Sequence, residues 1–412
     1  MNDWTDLLPP MLAGETLNNR LACYPKYDPE IRNGNASERL LGLSSLYDVY
    51  IPGTLSVEVY SKLYLATHRS LQKKQDKKTV TLQLVENRKR LQHADSNGII
   101  GGADSFTVIG QSGIGKSSAI SRAVQMISEK GIIETNAPYA KIIPCVSVQT
   151  PFDASVRSML LEILRVVDER LLTNYHQSAL RARATTDMLI SSVSSVALNH
   201  IGTLIVDEIQ NVANSRNGDA LVGALTQLIN SSGISICMVG TPDSASFFQQ
   251  AYRLARRSLG IEGEPMQYDD VFKAFCRTLI EYCYVQNEPE LSEGILAWLY
   301  EHSGGVASVI ISLLHDAQEL AIYNGRETLD QQALELAYKQ RMRMLHGYID
   351  AGRIKPSTTS IIHTKRDTLP QQVTNVDDPH LMKKALERAR SSRLSIMQIL
   401  RENGVAVMEI PV

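Results

Sequence analysis

Residues 110–117 read GQSGIGKS, that is Gly110, Gln111, Ser112, Gly113, Ile114, Gly115, Lys116 and Ser117. In the pattern G-x-x-x-x-G-K-S the glycines let backbone amides turn inward around phosphate oxygens. The lysine can reach the β and γ phosphates, and the serine hydroxyl can hold Mg²⁺. With Ser118, these residues form a candidate ATP-binding loop. The eight letters also occur by chance, so their flanks decide. Phe106-Thr107-Val108-Ile109 before the loop reads as a strand, and residues 116–130 after it as an amphipathic helix whose positive end faces the anion.

Moving outward, Thr203-Leu204-Ile205-Val206-Asp207-Glu208 is an apolar run ending in two acids. A carboxylate at a strand tip beside the loop is placed to hold Mg²⁺ through water, which is Asp207; the adjacent Glu208 can polarise the attacking water as a general base. A second apolar run, 234–240, ends at Gly240-Thr241-Pro242. In the additional-strand class of P-loop ATPases a sensor residue lies on the strand between the two motif strands, a role that fits Thr241. Further on, Arg253-Leu254-Ala255-Arg256-Arg257 forms a basic helix. An arginine there can reach a neighbour's γ-phosphate and neutralise transition-state charge. Arg256 and Arg257 are both candidates for that finger.

Around these motifs short apolar runs alternate with helical patterns. Strands are expected at 106–109, 140–148, 203–207 and 234–240, with Pro144 marking an irregularity or an edge position. Helices are expected at 155–171, 177–199 and 218–231. Continuous apolar strands are those buried on both faces, so the fold class is α/β, a parallel sheet with helices on both sides. From about residue 270 the chain turns helical, at 270–286, 290–302, 306–323 and 328–341, and reads as a lid. Residues 1–60 are rich in Pro, Asn and Gly, with a helix expected over 57–75 and a basic cluster over 69–90. A polar stretch, 350–378, precedes a basic helix, 379–403. The domain boundaries expected are 1–95 for a leader, 96–268 for the nucleotide domain, 269–345 for the lid and 346–412 for a linker and terminal helix.

Composition narrows the class of function. The formal net charge of -2 means that any nucleic-acid surface must be a local patch. The five cysteines form no C-x-x-C pair, which argues against a zinc ribbon or a disulfide framework. The N-terminus lacks the pattern of a signal peptide, and the apolar runs fall well short of the roughly 20 residues that span a bilayer. The expectation is a cytoplasmic protein with no membrane partner.

The motif order, the Asp-Glu pair, the threonine, the basic helix and the helical lid together resemble the AAA+ family. Within it the chain is similar to the transposition-regulator ATPases of bacterial transposons, the TniB/TnsC type, with MuB more distant. The carriers are NDWTDLLPPML and YPKYDPEIRNGNASERL in the leader, GQSGIGKSSAI, LIVDEIQNV and ICMVGTPDS in the core, and EHSGGVASVIISLLHDAQELAI in the lid, so that the resemblance runs over roughly residues 1–340. It implies a bacterial protein with an AAA+ core and a lid, and ATP with Mg²⁺ as cofactors. It also implies a homo-oligomeric ring or filament, hexameric or heptameric, on double-stranded DNA. The partners implied are a transposase and a TniQ-type target selector; some members serve CRISPR-guided transposons. ATP then acts chiefly as an assembly switch, and slow hydrolysis times disassembly. The resemblance places Arg157 against DNA in the pore, with Arg181 and Arg183 as further candidates. Gly304-Gly305-Val306-Ala307-Ser308 departs from many AAA+ lids in having no arginine to touch the γ-phosphate. Two other readings stay open: a nucleotide-switched scaffold ATPase that binds a protein without DNA, and a replication-initiator or helicase-loader ATPase.

Overall fold

The computed structural model describes residues 4–75, 105–136, 139–213, 215, 218–232, 234–244, 260–289 and 291–343. Six strands form one sheet: β1 (Phe106–Gly110), β2 (Ile133–Asn136), β3 (Tyr139–Gln149), β4 (Ile201–Asp207), β5 (Ser235–Gly240) and β6 (Gly260–Gly263), in the order β2-β3-β4-β5-β1-β6. Every pairing is parallel except the β2–β3 hairpin. The expected strands are all present. β2 and β6 were not anticipated, because each has only four residues and no apolar run.

Thirteen α-helices and four short 3-10 helices lie among the described residues. The leader holds α1 (Gly14–Leu21), α2 (Ala36–Leu43) and α3 (Thr54–Gln75); the core holds α4 (Lys116–Ile127), α5 (Val156–Leu171), α6 (Tyr175–Arg181), α7 (Thr186–His200), the single turn α8 (Gln210–Ala213) and α9 (Gly218–Ser232). The lid holds α10 (Asp270–Glu281), α11 (Glu293–Ser303), α12 (Ala307–Tyr323) and α13 (Gln331–Arg341). The helix expected over 177–199 is two. The Asp168 carboxylate accepts from the backbone of Tyr175 and His176 and starts α6, whereas Thr185 accepts from Met188 and starts α7. Arg183, with a left-handed φ of 47°, turns the chain between them.

Strand side chains alternate between two cores, as a period of two requires. Leu204 and Val206 face α5, α7 and α9, whereas Ile205 and Cys237 face α3 and α4. The leader therefore belongs to the body of the molecule: α3 covers the second face of the sheet. There Thr67 meets Thr203 at 3.0 Å, Oγ1 to Oγ1. At the end of α3, Lys74 is buried, and its Nζ donates to the carbonyls of Ala197 and Leu198 at the end of α7. Burial, with Lys73 nearby, lowers its pKa to about 7. This member of the expected basic cluster faces a helix terminus instead of solvent; positions 76–90 lie outside the described residues. Pro144 sits two residues past Ile142, the last β3 residue paired with β2, and its carbonyl packs so closely on Gly202 that a Cβ there would stand 2.3 Å from it. The edge reading of Pro144 thus holds locally.

The third core joins lid and leader. Leu43, Leu46 and Val49 pack with Phe272, Leu299, Ile310 and Leu313. Polar links support it. Arg39 and Glu327 form a buried ion pair, Tyr27 Oη donates to the Cys283 carbonyl at 2.7 Å, and Arg32 Nε donates to the Val285 carbonyl at 2.9 Å. Every described residue lies in one compact unit, residues 1–355. No helix among the described residues is long and apolar enough to cross a membrane. All five cysteines are free.

Candidate nucleotide site

The loop between β1 and α4 has the backbone that its glycines predict. Gly113 and Gly115 adopt left-handed φ values of 87° and 98°, and Gly115 caps α4 with no side chain in the way of its free amides. Gly110 is required for closeness: a Cβ there would lie 2.6 Å from the carbonyl oxygen of Gly263. Lys116 Nζ donates to the carbonyls of Gly110 and Gln111 at 2.7 and 2.8 Å, so the ammonium is held inside the loop. Burial lowers its pKa, and the charges of Asp207 and Glu208 act in the opposite direction. Ser117 Oγ donates to Asp207 Oδ2 at 3.1 Å, which joins the two motif strands across 90 residues of sequence. Asp207 Oδ1 also accepts from the Glu208 amide at 2.8 Å.

Glu208 itself takes a left-handed φ of 58°, uncommon for a residue with a side chain. Its carboxylate accepts from the side-chain amide of Gln210. Thr241 follows β5, and β5 lies between β1 and β4, the strand position expected of a sensor. Its Oγ1 is buried and has no hydrogen-bond partner among the described residues. Ser112, Ile114 and Ser118 lie on the same loop and the first turn of α4. Arg253, Arg256 and Arg257 lie outside the described residues.

Other contributors carried no motif. Leu55 of α3 and Ile114 converge on Gly263 of β6, where an added Cβ would stand 3.1 Å from Leu55 Cδ2 and 2.5 Å from Ile114 Cδ1. On the lid, Ser308 donates its amide to the Gly113 carbonyl at 3.0 Å, and Met266 donates to the Gly305 carbonyl at 3.0 Å. The segment without an arginine therefore touches the loop through its backbone. Leader, β6 and lid thus border the loop, the leader through the Leu55 side chain, β6 through Gly263 and the lid through its backbone. A lone leucine in a helix gives no signal of that role.

Arg157, near the start of α5, donates to the carbonyl of Ala184, beside Arg183 in the α6–α7 connection. Arg181 and Arg183 are exposed, and Arg157 is half-buried. Just before α5, Phe152 projects with 93% of its surface exposed. The β3–α5 loop is fastened to the end of β4: Thr150 N donates to the Asp207 carbonyl at 2.9 Å, and Asn211 Nδ2 to the Thr150 carbonyl at 3.1 Å.

The strand order, with a sensor strand between the two motif strands, the loop and the helical lid together define an AAA+ P-loop α/β domain. Within that class, residues 88–262 match the family model described as "TniB: Bacterial TniB protein". The resemblance read from the core motifs is thus shown over the segment that holds them; the quoted leader and lid stretches fall outside the match. The comparison with curated proteins gave no match. Among solved structures, the chain is similar to the Aeropyrum pernix ORC1 protein in complex with DNA (TM-score 0.43, 14% identity, 63% of this chain and 64% of that one). It is also similar to Drosophila ORC bound to DNA (0.43, 12%, 98% and 86%) and to Cdc6p from Pyrobaculum aerophilum (0.40, 15%, 63% and 66%). The match covers less than two thirds of the length of the two archaeal chains. The fold class rests on the topology, not on these likenesses.

Proposed function

We propose that this chain is an ATP-dependent regulator of transposition. In this reading it assembles as an oligomer on double-stranded target DNA, links a TniQ-type selector to the transposase, and comes apart as ATP is hydrolysed. The observation that carries the reading is the Ser117–Asp207 hydrogen bond beneath the loop, in a segment that matches the TniB family.

The residues present fit a magnesium-bound polyphosphate. Two left-handed glycines turn amides inward, an uncapped helix start faces the loop, a half-buried ammonium lies within it, and a buried threonine hydroxyl has no partner among the described residues. Gly110 to Ser118 would cradle the phosphates, and Lys116 would exchange its two carbonyls for phosphate oxygens. Ser117 and Asp207 would hold Mg²⁺, which neutralises charge on the phosphates when bound. Glu208 takes the proton of the attacking water, and Thr241 orients that water or the γ-phosphate. Arg256 or Arg257 completes a neighbour's site. Leu55 and Ile114 are placed to pack against the base.

Arg157, Arg181 and Arg183 contact DNA phosphates, which position an assembly without reading sequence. Fluorescence polarisation on a labelled duplex tests the whole reading. Binding is expected with ATP, weaker with ADP, and decreasing with salt; Arg157→Ala lowers the salt slope by about one unit. Equal binding with and without ATP, or none in moderate salt, removes the DNA-assembly reading and leaves a scaffold ATPase.

A further inference from the structure

The side chain of Gln210 lies between the two catalytic elements of the site. Its Nε2 donates to a Glu208 carboxylate oxygen. Its Oε1 is buried and has no partner among the described residues. That oxygen lies against the end of β5: a Cβ on Gly240 would stand 3.2 Å from Gln210 Oε1, 2.7 Å from Ser244 Oγ and 2.6 Å from Ile209 Cγ2. The glycine before Thr241 leaves room chiefly for Ile209 and Ser244, and the Gln210 amide oxygen lies beside them at the end of β5. The backbone on both sides is fixed, since Ile209 N donates to the Val239 carbonyl at 2.9 Å and Glu208 holds its left-handed φ.

A carboxylate oxygen that accepts from an amide has less capacity for a water proton and is turned toward the amide. A carboxylate meant to act as a base gains nothing from that bond. A buried amide oxygen left without a donor is costly, about 1–3 kcal/mol for such a group, so the arrangement is not explained by stability. We propose that Gln210 is a positioning residue that restrains Glu208: its amide holds the carboxylate off the water, and its release from Glu208 is a condition for hydrolysis. The inference rests on the reading of Glu208 as the base. It gives the slow turnover expected of an assembly timer a residue and a bond, in a loop next to the motif instead of in the lid.

The test is steady-state ATP turnover by the full chain without DNA, for the wild type, Gln210→Ala, the size-matched Gln210→Met, and Glu208→Gln. Both Gln210 variants are expected to raise kcat about tenfold, the factor one hydrogen bond corresponds to, with the KM for ATP unchanged. A purely structural role would lower kcat or raise KM instead. Unchanged or reduced kcat in both variants, with Glu208→Gln inactive, overturns the restraint while leaving Glu208 as the base. Wild-type turnover by Glu208→Gln overturns the base assignment and the restraint with it. The methionine variant guards against loss of folding in the alanine one, and a wild-type ATP affinity in either shows an intact site.

Discussion

The phosphate loop and the leader are built by opposite means. The loop is local: its geometry is set within eight residues by two left-handed glycines and the start of α4, and its polar groups point at one another across short spans. The leader is non-local. Its middle section, from Tyr27 to Val49, packs on the lid through partners more than 220 residues away, and its flanks pack on the sheet. A loop of this kind tolerates change in its surroundings and loses function when one of its own atoms is removed. A leader of this kind loses stability when changed, and the nucleotide site feels the loss through the lid and through the packing of α3 beside the loop.

The sharpest way to break that contrast is the buried pair. Arg39→Met leaves the half-buried Glu327 without its cation and is expected to cost about 1–3 kcal/mol in unfolding free energy. Denaturant melts read it; a loss below 1 kcal/mol would mean that the leader is not structural. The pair also sets a pH dependence. Arg39 holds the Glu327 carboxyl below its ordinary value of 4.5, so its contribution is fully present above that value and disappears as pH falls through the lowered one. In Arg39→Met the carboxyl should titrate nearer its ordinary value, and this pH dependence of stability should disappear.

Lys116→Ala tests the other side. Removing a charge-assisted donor from the phosphates is expected to weaken ATP binding about a hundredfold, measured by titration calorimetry or a fluorescent analogue. Its melting midpoint should stay at the wild-type value; a large drop would show that the lysine is holding the fold. The smallest effect expected is for Tyr27→Phe, which deletes one hydrogen bond to the Cys283 carbonyl and should cost about 1 kcal/mol with ATP affinity unchanged. A change in affinity larger than in stability would move the leader into the functional site.

The same contrast explains what could be read from the sequence. Strands β1, β4 and β5 announce themselves because both faces are buried, and the loop because its chemistry needs adjacent residues. β6, with the sequence GIEG, has no apolar run; it exists because Thr107 and Val108 of β1 offer an open edge to Gly260 and Ile261. Helix α2 was legible in principle, since Asn35 and Glu38 form a capping box, but the surrounding Pro and Gly residues read as turns. Gln210 carries no motif meaning, and only the fold brings its amide between Glu208 and Gly240. The three arginines expected at DNA are gathered around one connection, by a bond from Arg157 that no spacing announces.

The leader crosses between core and lid twice, on its way out near Cys23 and on its way back near Tyr50. Those two crossings are joined by a reciprocal pair of backbone hydrogen bonds, 2.9 Å from Cys23 N to the Tyr50 carbonyl and 2.8 Å from Tyr50 N to the Cys23 carbonyl. Arg122, on the phosphate-binding helix, anchors the outgoing leg by donating to the carbonyls of Leu21 and Ala22, each at 2.8 Å. In mechanical terms the two legs are riveted to each other at one point, and the outgoing leg is riveted to the helix that bears Lys116, so a load on the lid reaches that helix by a path that bypasses the loop.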